Sequence, residues 1–265
     1  MEMFILLKAN IKKKKSAFIS IALLMIIVTS VLTAILSAVD NYEIGLEKAF
    51  ETADSGDTVL FTSREYLTEE LKERVEKSPL VKKAVYTDAL VSNGMTCGKN
   101  RDGNNDFLQK MREGIKLFSE DLNRFEDSVP ELKEGEIYLP LGLKDKIYCN
   151  VGDTVTLDFA GNIEEDFKVA GFVQEPSFGA QTIGWKQVFI GEEDFGRLSL
   201  RLEKADKVEG KVGTAVIMSI YKADGCDLGA GKFQRELNLE TKIIDNSYGA
   251  LNKDQSVRYS TLMPE

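Results

Sequence analysis

The chain has no histidine, one tryptophan, five prolines and three cysteines in 265 residues. The missing histidine removes the commonest general base and the commonest metal ligand together, so Ser-His and Cys-His nucleophile systems are excluded. Cys97, Cys149 and Cys226 allow at most one intramolecular disulfide. Their spacing fits no zinc or redox motif, and three independent buried thiols account for them equally well. No carboxylate pair stands in a recognisable catalytic motif; the expectation is no enzymatic activity, with no catalytic, cofactor-binding or metal-ligating residue. Positive charge is also short: 34 Lys and Arg face 43 Asp and Glu, a net charge of -9. Nucleic acid is therefore not an expected partner.

Two patterns approach a ligand motif and miss it. Asp102, Asn104 and Asp106 alternate, with Glu113 at the twelfth position as in a calcium loop, but Phe107 stands where the sharp turn needs Gly. A polar turn capping a following helix is the better account. Gly229-Ala-Gly-Lys232 resembles the end of a phosphate loop, yet Cys226 replaces the first Gly and Phe233 the Ser or Thr that would hold magnesium. ATP hydrolysis, if coupled to this chain, belongs to a separate one.

What the sequence does have is Ser16–Val39, SAFISIALLMIIVTSVLTAILSAV, 24 residues without a charge, Pro or Gly. A membrane helix needs about 20 mostly apolar residues, and a soluble core helix of this length normally keeps a polar face. Lys8 and Lys12 to Lys15 precede it, whereas Asp40, Glu43 and Glu47 follow. Positive flanks stay on the cytoplasmic side, so the reading is a cytoplasmic lead over 1–15, a transmembrane helix over 16–39, and an extracytoplasmic remainder. A cleaved signal peptide is disfavoured, because the apolar run exceeds a signal core and Leu36-Ser-Ala-Val-Asp40 offers no clean small-x-small site.

Beyond the span, helical periodicity through Tyr42, Leu46 and Phe50 predicts a stalk to Ala53. Strands are expected at 57–63 and 81–91, with a helix at 66–77; a start one turn earlier is the alternative, because Thr62 with Glu65 fits a capping box and Thr68 with Leu71 does not. A loop is predicted over 93–105. A helix over 107–125 follows from Phe107, Leu108, Met111, Ile115, Phe118, Leu122 and Phe125 at helical spacing. Short strands at 135–139, 154–159, 167–174 and 185–190 suggest an antiparallel module, with helical segments at 141–147 and 192–203. Strand, helix and strand are expected again at 214–221, 231–239 and 241–245. The fold class is α+β: a ferredoxin-like split β-α-β domain built from 40–92 and 213–265, with a β-rich subdomain, 93–212, inserted.

The string from Gly135 to Ser177, with Val151-Gly-Asp-Thr-Val155 followed by Phe167-Lys-Val-Ala-Gly171, resembles the extracytoplasmic core domain of FtsX-like and MacB-like ABC transporter permeases. Leu6-Leu-Lys-Ala-Asn-Ile-Lys12, leading into the apolar run, is similar to the start of such permeases. The resemblance implies a membrane-embedded permease component, a separate ATP-binding subunit and the lipid bilayer as partners, a homodimer as one assembly, and force passed to the outside domain through the stalk. Permeases of this type carry further membrane helices that this sequence lacks, so an N-terminal fragment or a split gene product is one expectation. The other class of function is a single-pass anchored ectodomain that binds a ligand or protein and transports nothing.

Overall fold

The computed structural model describes residues 15–62, 64, 67–176, 178, 185–209, 213–226, 228, 230–237 and 247–252. The chain divides into two compact units, the first ending at Gly45 and the second beginning at Leu46.

In the first unit, helix α1 (Lys15–Thr52) carries Lys15–Asn41, which among the described residues is the one stretch long and apolar enough to cross a membrane. Ile19, Leu24, Met25 and Ile27 are each more than half exposed. An apolar surface turned outward on all sides is what hydrocarbon, not a protein core, covers. The hydroxyl of Thr33 donates to the Thr29 carbonyl at 2.8 Å, so it needs no water. The helix persists to Thr52, as the predicted stalk requires, and its last turns belong to the second unit.

The second unit is a mixed α+β domain whose described residues form one eleven-stranded sheet. Its strands are β1 (Thr58–Thr62), β2 (Val81–Cys97), β3 (Asn100–Asp102), β4 (Asp106–Lys110), β5 (Lys116–Leu117), β6 (Glu136–Pro140), β7 (Thr154–Phe159), β8 (Ile163–Gln174), β9 (Lys186–Ile190), β10 (Thr214–Lys222) and β11 (Ser247–Asn252). The helices are α2 (Glu69–Glu76), α3 (Leu141–Lys146), α4 (Glu192–Glu209) and α5 (Ala230–Glu236).

One end of the sheet runs β11-β1-β10-β2, every neighbour antiparallel, so β1 and β2 point the same way with β10 between them. Strand alternation sends Leu60, Met218 and Ile220 to one face, where Leu71 and Val75 of α2, Phe233 of α5 and Leu237 just beyond it join them in one core. The other face carries Val59, Ala89, Ala215 and Ile217. At the other end, pairings β2-β4-β9-β6-β8-β7 return to β2 and close a six-stranded ring. Every one of those strands sends apolar side chains to a single core, among them Met95, Leu108, Ile137, Leu157, Phe167 and Val188; Phe195, Leu198 and Leu202 of α4 complete it.

Several expectations are corrected. No helix covers 107–125: β4 and β5 lie there, and Phe118 and Phe125 form a β-bridge with ring centroids 4.8 Å apart. Phe107 and Leu108 are both fully buried because β4 is covered on both faces, Phe107 in one core and Leu108 in another. Gly114, at φ 83°, breaks the segment; a Cβ there would collide with the Thr52 carbonyl. The loop at 93–105 is instead the end of β2, a tight turn and β3. Thr62 lies in β1 opposite Val216, and Thr68 caps α2, its hydroxyl accepting from the Leu71 amide at 3.2 Å; an N-cap needs only that amide and not an acidic residue beside it. The β-rich module is not purely antiparallel, since β4 with β9 and β6 with β8 are parallel. The strand expected at 241–245 lies outside the described residues.

Leu60 is fully buried between the sheet and both of its helices. Leu60→Ala should cost about 2–5 kcal/mol, measured by urea unfolding of the detergent-solubilised chain; a loss below about 1 kcal/mol would contradict this core.

Candidate functional site

On the face of the sheet opposite α2 and α5 lies a cleft of about 430 Å³. Its floor is laid strand by strand. β1 supplies Val59, β10 supplies Ile217, Ser219 and Tyr221, and β2 supplies Lys83, Val85 and Thr87, each set two residues apart along its strand. The register sets Ile217 against Thr87, Ser219 against Val85 and Tyr221 against Lys83. Gln109 of β4 and Gln187 of β9 extend the floor toward the six-stranded ring, while Thr52 to Ser55 and Arg112 to Gly114 form its rim.

Lys83, Asp54 and Arg112 are already engaged, whereas Glu113 stands exposed on the rim. The Lys83 ammonium meets Asp54 at 3.1 Å and stands 4.8 Å from the centre of the Tyr221 ring. Arg112 donates to the Ala53 carbonyl and lies 3.6 Å from the buried carboxylate of Glu175. The Tyr221 hydroxyl donates to the Asp54 carbonyl, and burial, reinforced by the Asp54 charge, pushes its pKa up to about 12. It stays a neutral donor at any physiological pH. The floor is different: Gln109 and Gln187 are each 3 % exposed, and neither side-chain carbonyl oxygen has a hydrogen-bond partner.

A second polar cluster gathers around the buried Asp102, Asp106 and Lys186. Lys146 meets Asp102 at 2.7 Å, Asn104 donates to the same carboxylate through its backbone and side chain, and Asp106 and Lys186 are fully buried. Burial, aided by the Asp102 charge, raises the Asp106 carboxyl well above its ordinary value; burial, aided by Lys146, lowers Lys186 to about 8. The calcium-like spacing is therefore a pair of carboxylates facing two lysines, and the turn leads into a strand rather than capping a helix. Lys232 of the phosphate-loop-like string lies exposed on the first turn of α5, next to the buried Phe233. Cys97 and Cys149 are buried free thiols in the core of the ring, and Cys226 is a half-buried one.

No family model and no curated protein matches the sequence. Among solved structures, the periplasmic region of MacB from Actinobacillus actinomycetemcomitans is similar at 15% identity and a TM-score of 0.33, over 82% of this chain and 97% of that one. A putative lipoprotein from Bacillus anthracis is similar at 6% identity and a TM-score of 0.38, over 73% of this chain and 95% of that one. At TM-scores this low neither likeness decides the fold or the activity.

The floor glutamines were invisible to sequence reasoning, since an isolated polar residue in an alternating strand reads as solvent-facing. Lys186 gives a pH test of the buried cluster. Its folded pKa of about 8 lies below the ordinary 10.5, so between these values the unfolded chain keeps a proton that the folded chain has released. Stability contributed by this group therefore rises with pH from 8 to 10.5, by roughly 3 kcal/mol in all. Urea unfolding across that range should show the slope, and Lys186→Met should flatten it; an unchanged slope would remove Lys186 as its source.

Proposed function

We propose that this chain is a membrane-anchored permease component of an ABC transporter, of the FtsX-like or MacB-like type, without enzymatic activity of its own. In this reading the domain beyond the membrane lies outside the cell and couples a separate ATP-binding subunit to export or to regulation of a partner. The observation that carries it is α1: one 38-residue helix holds the apolar span and continues, without a loop, to Thr52. A flexible linker would absorb a displacement at the membrane, whereas a continuous helix passes it on. Ala49, Phe50 and Ala53 are buried within the second unit, which anchors the helix end there.

Two further observations support the reading. The sheet order β11-β1-β10-β2, with α2 and α5 sharing one core, is what a ferredoxin-like split β-α-β arrangement requires, and the ring of strands inserted between β2 and β10 has the position that the Gly135–Ser177 resemblance implies. The Lys-rich lead supports a cytoplasmic N-terminus. A homodimer belongs to the same proposal. The alternative, an anchored ectodomain that binds a ligand and transports nothing, is favoured by the vacant glutamine carbonyls in the cleft.

The orientation is tested with a membrane-impermeant thiol reagent on intact cells, in a Cys226→Ser background. A cysteine at Tyr148, which is 74% exposed, should label, and one at Lys12 should not; the reverse pattern would overturn the assignment. Coupling is tested in membranes of cells that express the chain from its own genomic locus, so that any ATPase encoded beside it is present. Vanadate-sensitive phosphate release should depend on the chain and fall several-fold when Gly-Ser residues interrupt α1 at Gly45. Release indifferent to the interruption would favour the ligand-binding ectodomain.

A further inference from the structure

We infer that the cleft binds a short peptide segment, whose backbone amides pair with the side-chain amides of Gln109 and Gln187. The inference needs only the folded second unit, and it holds whether or not the chain serves a permease.

The argument starts from the two vacant acceptors. Buried carbonyl oxygens are almost always hydrogen-bonded, and here two of them, both on cleft-lining side chains, are not. They are also neighbours. In the parallel β4–β9 pair, Gln187 stands opposite Phe107 and Gln109 opposite Phe189, so the glutamines lie two positions apart on the same side of adjacent strands. A ligand that meets one reaches the other.

The ligand's charge follows from the rim and its shape from the floor. Lys83 is held by Asp54 and Arg112 by Glu175 and the Ala53 carbonyl, so no cation waits for an anion. Apart from Lys83, which Asp54 holds, what the floor offers is uncharged: two amides, the Thr87 and Ser219 hydroxyls, and apolar surface from Val59, Val85 and Ile217. A primary amide can accept from an N–H through its oxygen and donate to a C=O through its nitrogen, which is the complement of a peptide bond. The apolar patch beside it suits small side chains, and about 430 Å³ holds a segment of a few residues. A sugar is the other uncharged polyvalent donor. Sugar sites rely on an open aromatic face, and the one aromatic ring among the described residues lining this cleft, Tyr221, has the Lys83 ammonium over it at 4.8 Å.

The test uses the full chain in lipid nanodiscs with ¹⁵N-labelled glutamine, and the probes N-acetyl-(Ala)₃-amide and glucose at millimolar concentration. The capped peptide should shift, saturably, the two side-chain amide resonances that disappear in Gln109→Leu and Gln187→Leu. Each variant should weaken peptide binding about tenfold or more while its melting temperature stays level or rises, because a buried vacant acceptor has been removed. Ser219→Trp, which fills the cleft from a half-exposed position, should abolish the shift and serves if a leucine variant does not fold. Absence of a saturable peptide shift, a shift by glucose alone, or unchanged binding in the leucine variants would each overturn the inference. None of these outcomes bears on α1 or on ATPase coupling, so the two proposals fail separately.

Discussion

The second unit depends on the backbone ladder of β2. This strand of 17 residues pairs with β10 from Val81 to Leu90, with β4 from Leu90 to Ser92, and with β7 and β3 up to Cys97. It therefore belongs to both cores: Ala84 and Tyr86 pack under α2 and α5, whereas Leu90, Met95 and Cys97 face the inside of the ring. The change of partner needs a bend. It comes at Gly94, where the β2–β7 register shifts, φ is 153°, and a Cβ would approach the Asp102 carbonyl to 2.7 Å. A bulge of this kind kinks a strand and increases its twist, and here it turns one end of an open sheet into part of a closed ring.

The closed ring explains why charge can be buried beside it. β3 and β4 leave β2 through a tight turn, which carries Asp102 and Asp106 inward, while α3 and β9 bring Lys146 and Lys186. Charge is costly to bury, and the cost is met in two ways: Asp102 is paired with Lys146, whereas burial shifts Asp106 and Lys186 toward their neutral forms. Such a cluster adds little net stability compared with an apolar packing of the same volume. It does fix the register of β4 against β9, because a slip of one residue would put Asp106 and Lys186 on opposite faces of the sheet.

The sequence was legible where one physical signal dominated. Ser16–Val39 is uncharged over the full width of a bilayer, and the first part of α1 follows from that alone. Thr154–Phe159 alternates cleanly because β7 has one face inside the ring, as Val155, Leu157 and Phe159 show. β4 was illegible for the opposite reason. Buried on both faces, it presents Phe107 and Leu108 in succession, and with Met111, Ile115 and Phe118 beyond the strand the spacing imitates a helix. The cleft was less legible still. Gln109 and Gln187 meet only because β4 and β9 are neighbours, and nothing in either segment announces a parallel pairing across that separation.

The position of the cleft follows from how the sheet divides its two faces. In the β11-β1-β10-β2 portion, α2 and α5 occupy one face, so whatever the sheet binds must approach the other. On that face the apolar floor at Val59 and Ile217 gives way, toward β4 and β9, to amide groups that the fold leaves without partners. A domain selected for stability alone would place Leu or Val at those two positions, since a buried carbonyl with no donor loses its hydration and gains nothing in exchange. Two such losses on adjacent strands, in a floor that faces a cleft, place the cost where a ligand can return it.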